Sequence, residues 1–254
     1  MKFMSIKEMQ EREWVISWSG GKDSTATIIL CHKYGIPIKR IIYVRMMWSE
    51  NLPATLPVMT DFVDRAKRVF ESWGYPVEIV SSTKTAKSLT EKRYFRSKKY
   101  PEKNGNPYGI TAFCRLGCKF TGVKQDTIKS LLSGDEYELI GYAIDEVDRI
   151  KRLSDRKQSI MCTLGVTEKD AFRICKEVGL LSPLYDMKFS RDGCWFCPNA
   201  GVKEREIIRR EYPELVDEIK RMIEMCGYDV GYLYARNNWL QDYINGKLEI
   251  KDEL

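Results

Sequence analysis

Two groups of residues in this sequence combine side chains and spacing suited to chemistry. The first is the run Ser19-Gly20-Gly21-Lys22-Asp23-Ser24-Thr25. Adjacent glycines let a backbone approach an anion with no Cβ in the way, and the hydroxyls of Ser19 and Ser24 add donors. Lys22 supplies a mobile cation, and Asp23 is placed to orient Mg²⁺ or a polar ligand group. Phosphate oxygens are the expected ligand, with an unliganded tight turn as the plain alternative. A Walker A loop would need glycine at position 16, where Ile16 stands, so this is a phosphate loop of another kind. The second group is two cysteine pairs, Cys114-Arg115-Leu116-Gly117-Cys118 and Cys194-Trp195-Phe196-Cys197. Such spacings let two thiolates converge on one ion from a single turn, and two pairs make a four-sulfur site for Zn²⁺ or a [4Fe–4S] cluster. Spacing alone does not choose between them, and buried small residues plus surface thiols are the plain alternative. The other cysteines, Cys31, Cys162, Cys175 and Cys226, lie in helical patterns and read as core or partly buried thiols. The single histidine, His32, excludes histidine triads and two-histidine zinc sites.

To present a phosphate loop, a strand must end and a helix begin at Ser19. The apolar run Trp14-Val15-Ile16-Ser17-Trp18 reads as a buried strand and residues 24–34 as a helix stopped by Gly35. Backbone N–H groups and the positive helix end then converge on the loop. Strands are expected at 38–44, 77–80 and 137–143, and helices at 58–73, 119–132 and 167–178, the last capped by Thr167. This alternation predicts an α/β fold: a mostly parallel, Rossmann-like sheet flanked by helices. Helical patterns at 202–210, 213–226 and 232–243 surround the second cysteine turn and form a small helical, cysteine-bearing appendage. The expected division is a nucleotide-binding α/β domain over 1–180, with a basic insertion at 81–110, and a C-terminal region over 181–254.

A chain of 254 residues with 43% hydrophobic content can bury one large α/β core with a small appendage. It contains no run of 18 apolar residues and opens on a mixed polar segment, so no membrane association and a cytoplasmic location are expected. The final Lys251-Asp252-Glu253-Leu254 is then without targeting consequence. The net charge of +6 is concentrated in residues 84–103. There Lys84, Lys87, Lys92, Arg93, Arg96, Lys98, Lys99 and Lys103 face two acids, Glu91 and Glu102. With Tyr94, Phe95 and Tyr100 interleaved, the segment could track a phosphate backbone and stack bases; a solvated surface is the plain alternative.

The loop resembles the PP-loop of the adenine nucleotide α-hydrolase superfamily, in which ATP is cleaved between its α and β phosphates. With the cysteines placed, the chain is similar to the PAPS/APS reductase-like family of that superfamily, over residues 14–199. The stretch Gly141-Tyr142-Ala143-Ile144-Asp145-Glu146-Val147-Asp148-Arg149 resembles the family's segment after a core strand, although Ala143 stands where arginine is expected. Residues 167–170, 182–186 and 191–198 resemble its later signature. The resemblance implies ATP and Mg²⁺ on Ser19–Thr25, adenine near Tyr43, Gly141 in the binding site, and Lys22, Asp23 and Arg149 as catalytic groups, with Arg152 beside Arg149. It favours an iron–sulfur cluster over zinc on Cys114, Cys118, Cys194 and Cys197. Two departures set the chain apart from sulfonucleotide reductases: the loop keeps its complete Ser-Gly-Gly-Lys-Asp-Ser form, and the tail lacks their cysteine. An ATP-consuming sulfurtransferase acting on a nucleic acid, such as tRNA or the DNA backbone, or on a small molecule is the implied activity. A sulfonucleotide reductase and a non-catalytic nucleotide sensor with structural zinc are the alternatives. A homodimer is one assembly compatible with these features.

Overall fold

A computed structural model describes residues 3–96, 98, 101, 104–113, 118–190, 192–197 and 200–226. The chain begins with a short helix, α1 (Ile6–Gln10), closed by a reciprocal capping box between Ser5 and Glu8. The apolar run that follows is β1 (Trp14–Trp18), with Trp14, Val15, Ile16 and Trp18 all buried, as a parallel strand covered on both faces requires. After the glycine loop, α2 (Lys22–Lys33) runs to Tyr34, and Gly35 takes a left-handed φ of 61°. Next comes β2 (Ile38–Arg45). In chain order the further elements are α3 (Pro57–Ser72), β3 (Val77–Ser81), α4 (Ala86–Thr90), a 3-10 turn (Gly109–Phe113), α5 (Lys119–Leu131), β4 (Tyr137–Leu139), α6 (Val147–Ile150), β5 (Lys157–Gln158), α7 (Ile160–Leu164), α8 (Glu168–Glu177), α9 (Val202–Glu211) and α10 (Pro213–Cys226). The expected helix at 232–243 lies outside the described residues.

The residues form two compact units. One comprises Met1–Arg45, Pro57–Ser81 and Asp126–Met187; the other comprises Met46–Leu56, Ser82–Gln125 and Lys188–Leu254. The first holds a five-stranded sheet in the order β3-β2-β1-β4-β5, every neighbouring pair parallel. The protein is therefore α/β with a Rossmann-like sheet, as its alternating pattern predicts. The chain winds outward from β1 through β2 to β3 and then returns to place β4 on the other side of β1. That reversal opens a crevice beyond the carboxyl ends of β1 and β4, where open α/β sheets bind ligands. The core under it is aromatic: Trp18 meets Tyr43, Phe62 and Phe70 with ring centroids 5.2, 6.3 and 5.1 Å apart. The only histidine, His32, stacks on Trp73 at 4.3 Å in the last turn of α2, at the opposite end from the loop.

Below the sheet's middle, Glu136 joins β2 to the start of β4. It accepts from Lys39 Nζ at 2.8 Å, Arg40 Nη2 at 3.0 Å and the Ser133 N–H at 3.0 Å. Its partial burial opposes ionisation, but those three donors prevail and hold its carboxyl down to about 2. A depressed folded-state value means stability that is present above the ordinary carboxylate range and is lost as pH falls toward 2. Glu136→Gln is expected to cost about 1–3 kcal/mol near neutral pH. In urea unfolding, the gap to wild type should close as pH drops from about 4.5 toward 2. A gap that stays constant over that interval would contradict this role.

The second unit is organised around tryptophan and phenylalanine rings. Trp48 packs on Trp195 and on Phe196, each at 4.9 Å, and its indole N–H donates to Glu218 Oε2 at 3.1 Å. The Trp195 indole donates in turn to the Pro53 carbonyl at 3.0 Å. Among the described residues no helix is long and apolar enough to cross a membrane.

Candidate functional site

The phosphate run sits between β1 and α2, at the crevice beside β4. Gly20 has φ 85°, a conformation that favours glycine at this position. The loop is cross-tied by hydroxyls. Ser24 Oγ accepts the Ser19 N–H at 3.1 Å, the two serine oxygens lie 3.0 Å apart, and Ser19 Oγ accepts the Gly21 N–H at 3.3 Å. The first helical hydrogen bond runs from the Thr25 N–H to the Gly21 carbonyl at 3.1 Å. The start of a twelve-residue helix thus borders the loop with its positive end.

Gly141 closes the other side of the crevice. A Cβ there would stand 2.6 Å from the Ser24 nitrogen, 2.7 Å from the Asp23 carbonyl carbon and 2.9 Å from the Asp23 oxygen, all of them backbone. This contact explains why β4 ends at Leu139 and not at 143 as its apolar pattern suggests. The Ile140 N–H still donates to the Gln158 carbonyl of β5 at 2.9 Å, and the next residue, Gly141, lies against the start of α2.

Lys22 lies between carboxylates. Its Nζ is 2.9 Å from both Asp23 oxygens and 2.9 Å from Glu168 Oε1. Helix α8 delivers Glu168. Thr167 and Asp170 cap that helix reciprocally, the Glu168 N–H donates to Asp145 Oδ1 at 3.1 Å, and Cys175 Sγ donates to the Lys22 carbonyl at 3.2 Å. Burial pulls the Lys22 ammonium down, but hydrogen bonds to Asp23 and Glu168 outweigh it and hold it above the ordinary lysine range. Burial raises the Asp23 carboxyl; Lys22 opposes this, while Glu146 and Glu168 add to it.

The remaining residues singled out for the nucleotide fall into two places. Thr25 is buried with its hydroxyl accepting the Trp18 indole N–H at 2.9 Å, so its side chain faces the core. Tyr43 is also buried, its ring 3.7 Å from where a Cβ on Gly20 would stand, which makes it the floor under the loop. Arg149 sits on α6 and donates to Glu146 Oε1 at 2.8 Å, and Glu146 Oε2 accepts the Ala143 N–H at 3.1 Å. The structure thus brings Ser19 through Ser24, Gly141 and Glu168 together, while Arg149 is held by Glu146 at the segment that follows Gly141. Nothing local in the sequence marks Glu168 as a partner of Lys22, because the two lie 146 residues apart.

In the second unit the cysteine-bearing segments meet through their neighbours. Phe113 directly precedes Cys114, Phe120 follows Cys118 by two positions, and Phe196 lies between Cys194 and Cys197. The Phe196 ring is 4.7 Å from Phe113 and 5.9 Å from Phe120, and all three are buried. The Cys197 N–H donates to the Cys194 carbonyl at 3.0 Å, closing the second turn. Cys118, Cys194 and Cys197 are partly exposed and in no disulfide. Cys114 and residues 115–117 lie outside the described residues, and among those described no group of three or more metal-ligating side chains comes together. Cys31, Cys162 and Cys175 are buried, as their helical patterns predict.

The fold and loop define an α/β protein with a glycine-turned loop at the topological switch point of its parallel sheet. No family model matches the chain. An uncharacterised 37.8 kDa protein of Escherichia phage 186 is 24% identical over 253 residues, covering 84% of this chain and 75% of its own length. An uncharacterised protein of Methanocaldococcus jannaschii is 26% identical over 227 residues, covering 84% of this chain; the chain spans 48% of that relative. Among solved structures, the chain is similar to the U34-tRNA thiolase NcsA from Methanococcus maripaludis with its [4Fe–4S] cluster. There the identity is 17% and the TM-score 0.40, over 98% of this chain and 78% of that one.

Proposed function

We propose that this protein is a PP-loop enzyme that binds ATP on Ser19–Ser24 and cleaves it between the α and β phosphates, adenylating a second substrate for sulfur transfer. The observation that carries this reading is the pairing of a cross-tied, glycine-turned loop with Gly141 at the sheet's switch point. In such a reaction negative charge shifts onto phosphate oxygens, so fixed donors and cations in a shielded crevice supply most of the rate. The first-turn N–H groups of α2 and the Lys22 ammonium hold the leaving pyrophosphate. ATP binding is an exchange: Lys22 leaves Asp23 and Glu168 for the phosphates, and the released Asp23 carboxylate would hold Mg²⁺, which would neutralise phosphate charge. Arg149, tethered by Glu146, would contact the adenylate. The acceptor belongs to the nucleic acids or to small molecules with a nucleophilic oxygen.

Cys114, Cys118, Cys194 and Cys197 would hold an iron–sulfur cluster. Their donor set is all thiolate, and Phe113 and Phe120, which flank the first pair in sequence, contact Phe196, which lies within the second. A cluster bound there supplies iron and sulfide chemistry for handling sulfur. Anaerobic purification should yield about four irons per chain with broad visible absorption. Cys194→Ser should lower the iron content severalfold, whereas Cys175→Ser, at a buried thiol bonded to the Lys22 carbonyl, should leave it unchanged. One zinc and no colour would assign the cysteines a structural role and sink the sulfur-handling part of the reading.

A further inference from the structure

In the second unit, residues 92–94 of the basic segment pair with residues 105–108 as the two arms of a hairpin, while Lys99, Tyr100 and Lys103 lie outside the described residues. The Tyr94 N–H donates to the Asn106 carbonyl at 2.9 Å, the Gly105 N–H to the Tyr94 carbonyl at 2.9 Å, and the Tyr108 N–H to the Lys92 carbonyl at 2.6 Å. Arg93 and Pro107 form an antiparallel bridge between the two arms, and Gly105 takes φ 89° at the turn into the returning arm. The base is braced by rings: Tyr94 meets Tyr108 edge-on at 4.5 Å, and Lys119 Nζ, from the first turn of α5, sits 3.4 Å over the Tyr108 ring.

Just beyond the paired part of the first arm stands Phe95, 80% exposed and the most exposed large apolar side chain among the described residues. Isolated exposed apolar residues are common and mean little by themselves. Here the surroundings differ. Arg96 has φ 52°, a left-handed backbone seldom adopted by residues with a Cβ, and its guanidinium lies 5.0 Å from the Phe95 ring centroid. Lys92, Arg93, Arg96 and Lys98 bring four cations to this short stretch with no acid among them. A protein partner for an apolar anchor would leave those charges to be desolvated. A polyanion with exposed flat rings satisfies both features at once, since its phosphates take the cations and a base takes the phenyl face.

We propose that this hairpin is a finger that recognises unpaired nucleic acid, with Phe95 stacking on a splayed base and Lys92, Arg96 and Lys98 contacting the flanking phosphates. Duplex is a poor fit, because its bases are already stacked and present no free face to a side chain. The inference rests on the proposed reaction only for its purpose, since it makes a single-stranded segment or loop the acceptor; the binding itself stands alone.

The test measures fluorescence anisotropy of the full chain with a short labelled RNA of mixed sequence, the same sequence as single-stranded DNA, and the RNA annealed to its complement. Single strands should bind severalfold more tightly than duplex, and tighter RNA than DNA would show that the ribose hydroxyl is also read. Phe95→Ala should weaken single-strand binding about tenfold and Phe95→Trp should restore it. Lys98→Gln should weaken all single-strand sequences alike and reduce the salt slope by about one phosphate contact. Equal affinity for duplex with no effect of Phe95→Ala, or no binding at low salt, would overturn the finger. ATP-dependent pyrophosphate release is scored in parallel. Binding without release counts against the reaction alone, and release without binding counts against the finger alone.

Discussion

Lys22→Ala is expected to slow ATP-dependent pyrophosphate release by about two to three orders of magnitude, the scale seen when one preorganised group facing developing charge is removed. The Lys22 ammonium is largely withdrawn from water, and two carboxylates 2.9 Å away compensate it. When those carboxylates give way to phosphate oxygens, the charge is already desolvated and in place, so little reorganisation remains for the reacting step. The substitution also leaves Asp23 partly buried without its cation, in the field of Glu146 and Glu168. Its carboxyl then rises further, so the residual activity of the variant should shift its pH optimum upward relative to wild type. Glu168→Gln separates positioning from chemistry. It loosens one of the two restraints on Lys22 without touching the loop, so KM for ATP should fall or hold while kcat changes at most severalfold. A Glu168→Gln variant as slow as Lys22→Ala would assign Glu168 a direct part in the reaction.

Gly141→Ala should be nearly as damaging, by a different route. The added methyl group cannot be absorbed by a flexible side chain, because its neighbours are the backbone atoms of Asp23 and Ser24. Either the segment after β4 or the start of α2 must move by several tenths of an ångström. A displacement near 1 Å at a reacting centre is enough for about a hundredfold loss of rate. Overpacking of this kind costs about 1–3 kcal/mol of stability, so the variant should fold and lose ATP affinity together with turnover. Gly134→Ala is the matched control, since a Cβ there meets nothing within 4 Å. If Gly141→Ala kept full activity, the crevice beside β4 would not be the nucleotide site.

Much of this arrangement is visible in local sequence, and the reason is that its signals are local. The Trp14–Trp18 strand, the glycine run and the helix after it are encoded by adjacent residues, and the structure reproduces β1, α2, β2, α3 and β3 to within a residue or two of the expected bounds. Thr167 caps α8 through contacts three residues away, again a short-range signal. The features that escape local reading depend on which strands become neighbours. Gly141 has no turn or positive φ to announce it; its need for glycine arises only once β4 lies beside β1. Glu168 meets Lys22 because α2 and α8 pack together. The two-residue β5 and the five-residue α7 are too short for periodicity to reveal, and α4 lies in a stretch whose charge hides one turn of helix. In the cysteine region, spacing marks candidate ligands, while Phe113, Phe120 and Phe196 read only as core residues until their mutual contacts are seen.

The most direct test of the central claim is to identify the products of ATP turnover, using ATP labelled in the α phosphate and single-stranded RNA or DNA as acceptor under anaerobic conditions. The account predicts pyrophosphate and labelled adenosine monophosphate, or a labelled adenylated acceptor, with Lys22→Ala at background. Release of ADP and orthophosphate, or pyrophosphate release that Lys22→Ala leaves intact, would contradict it.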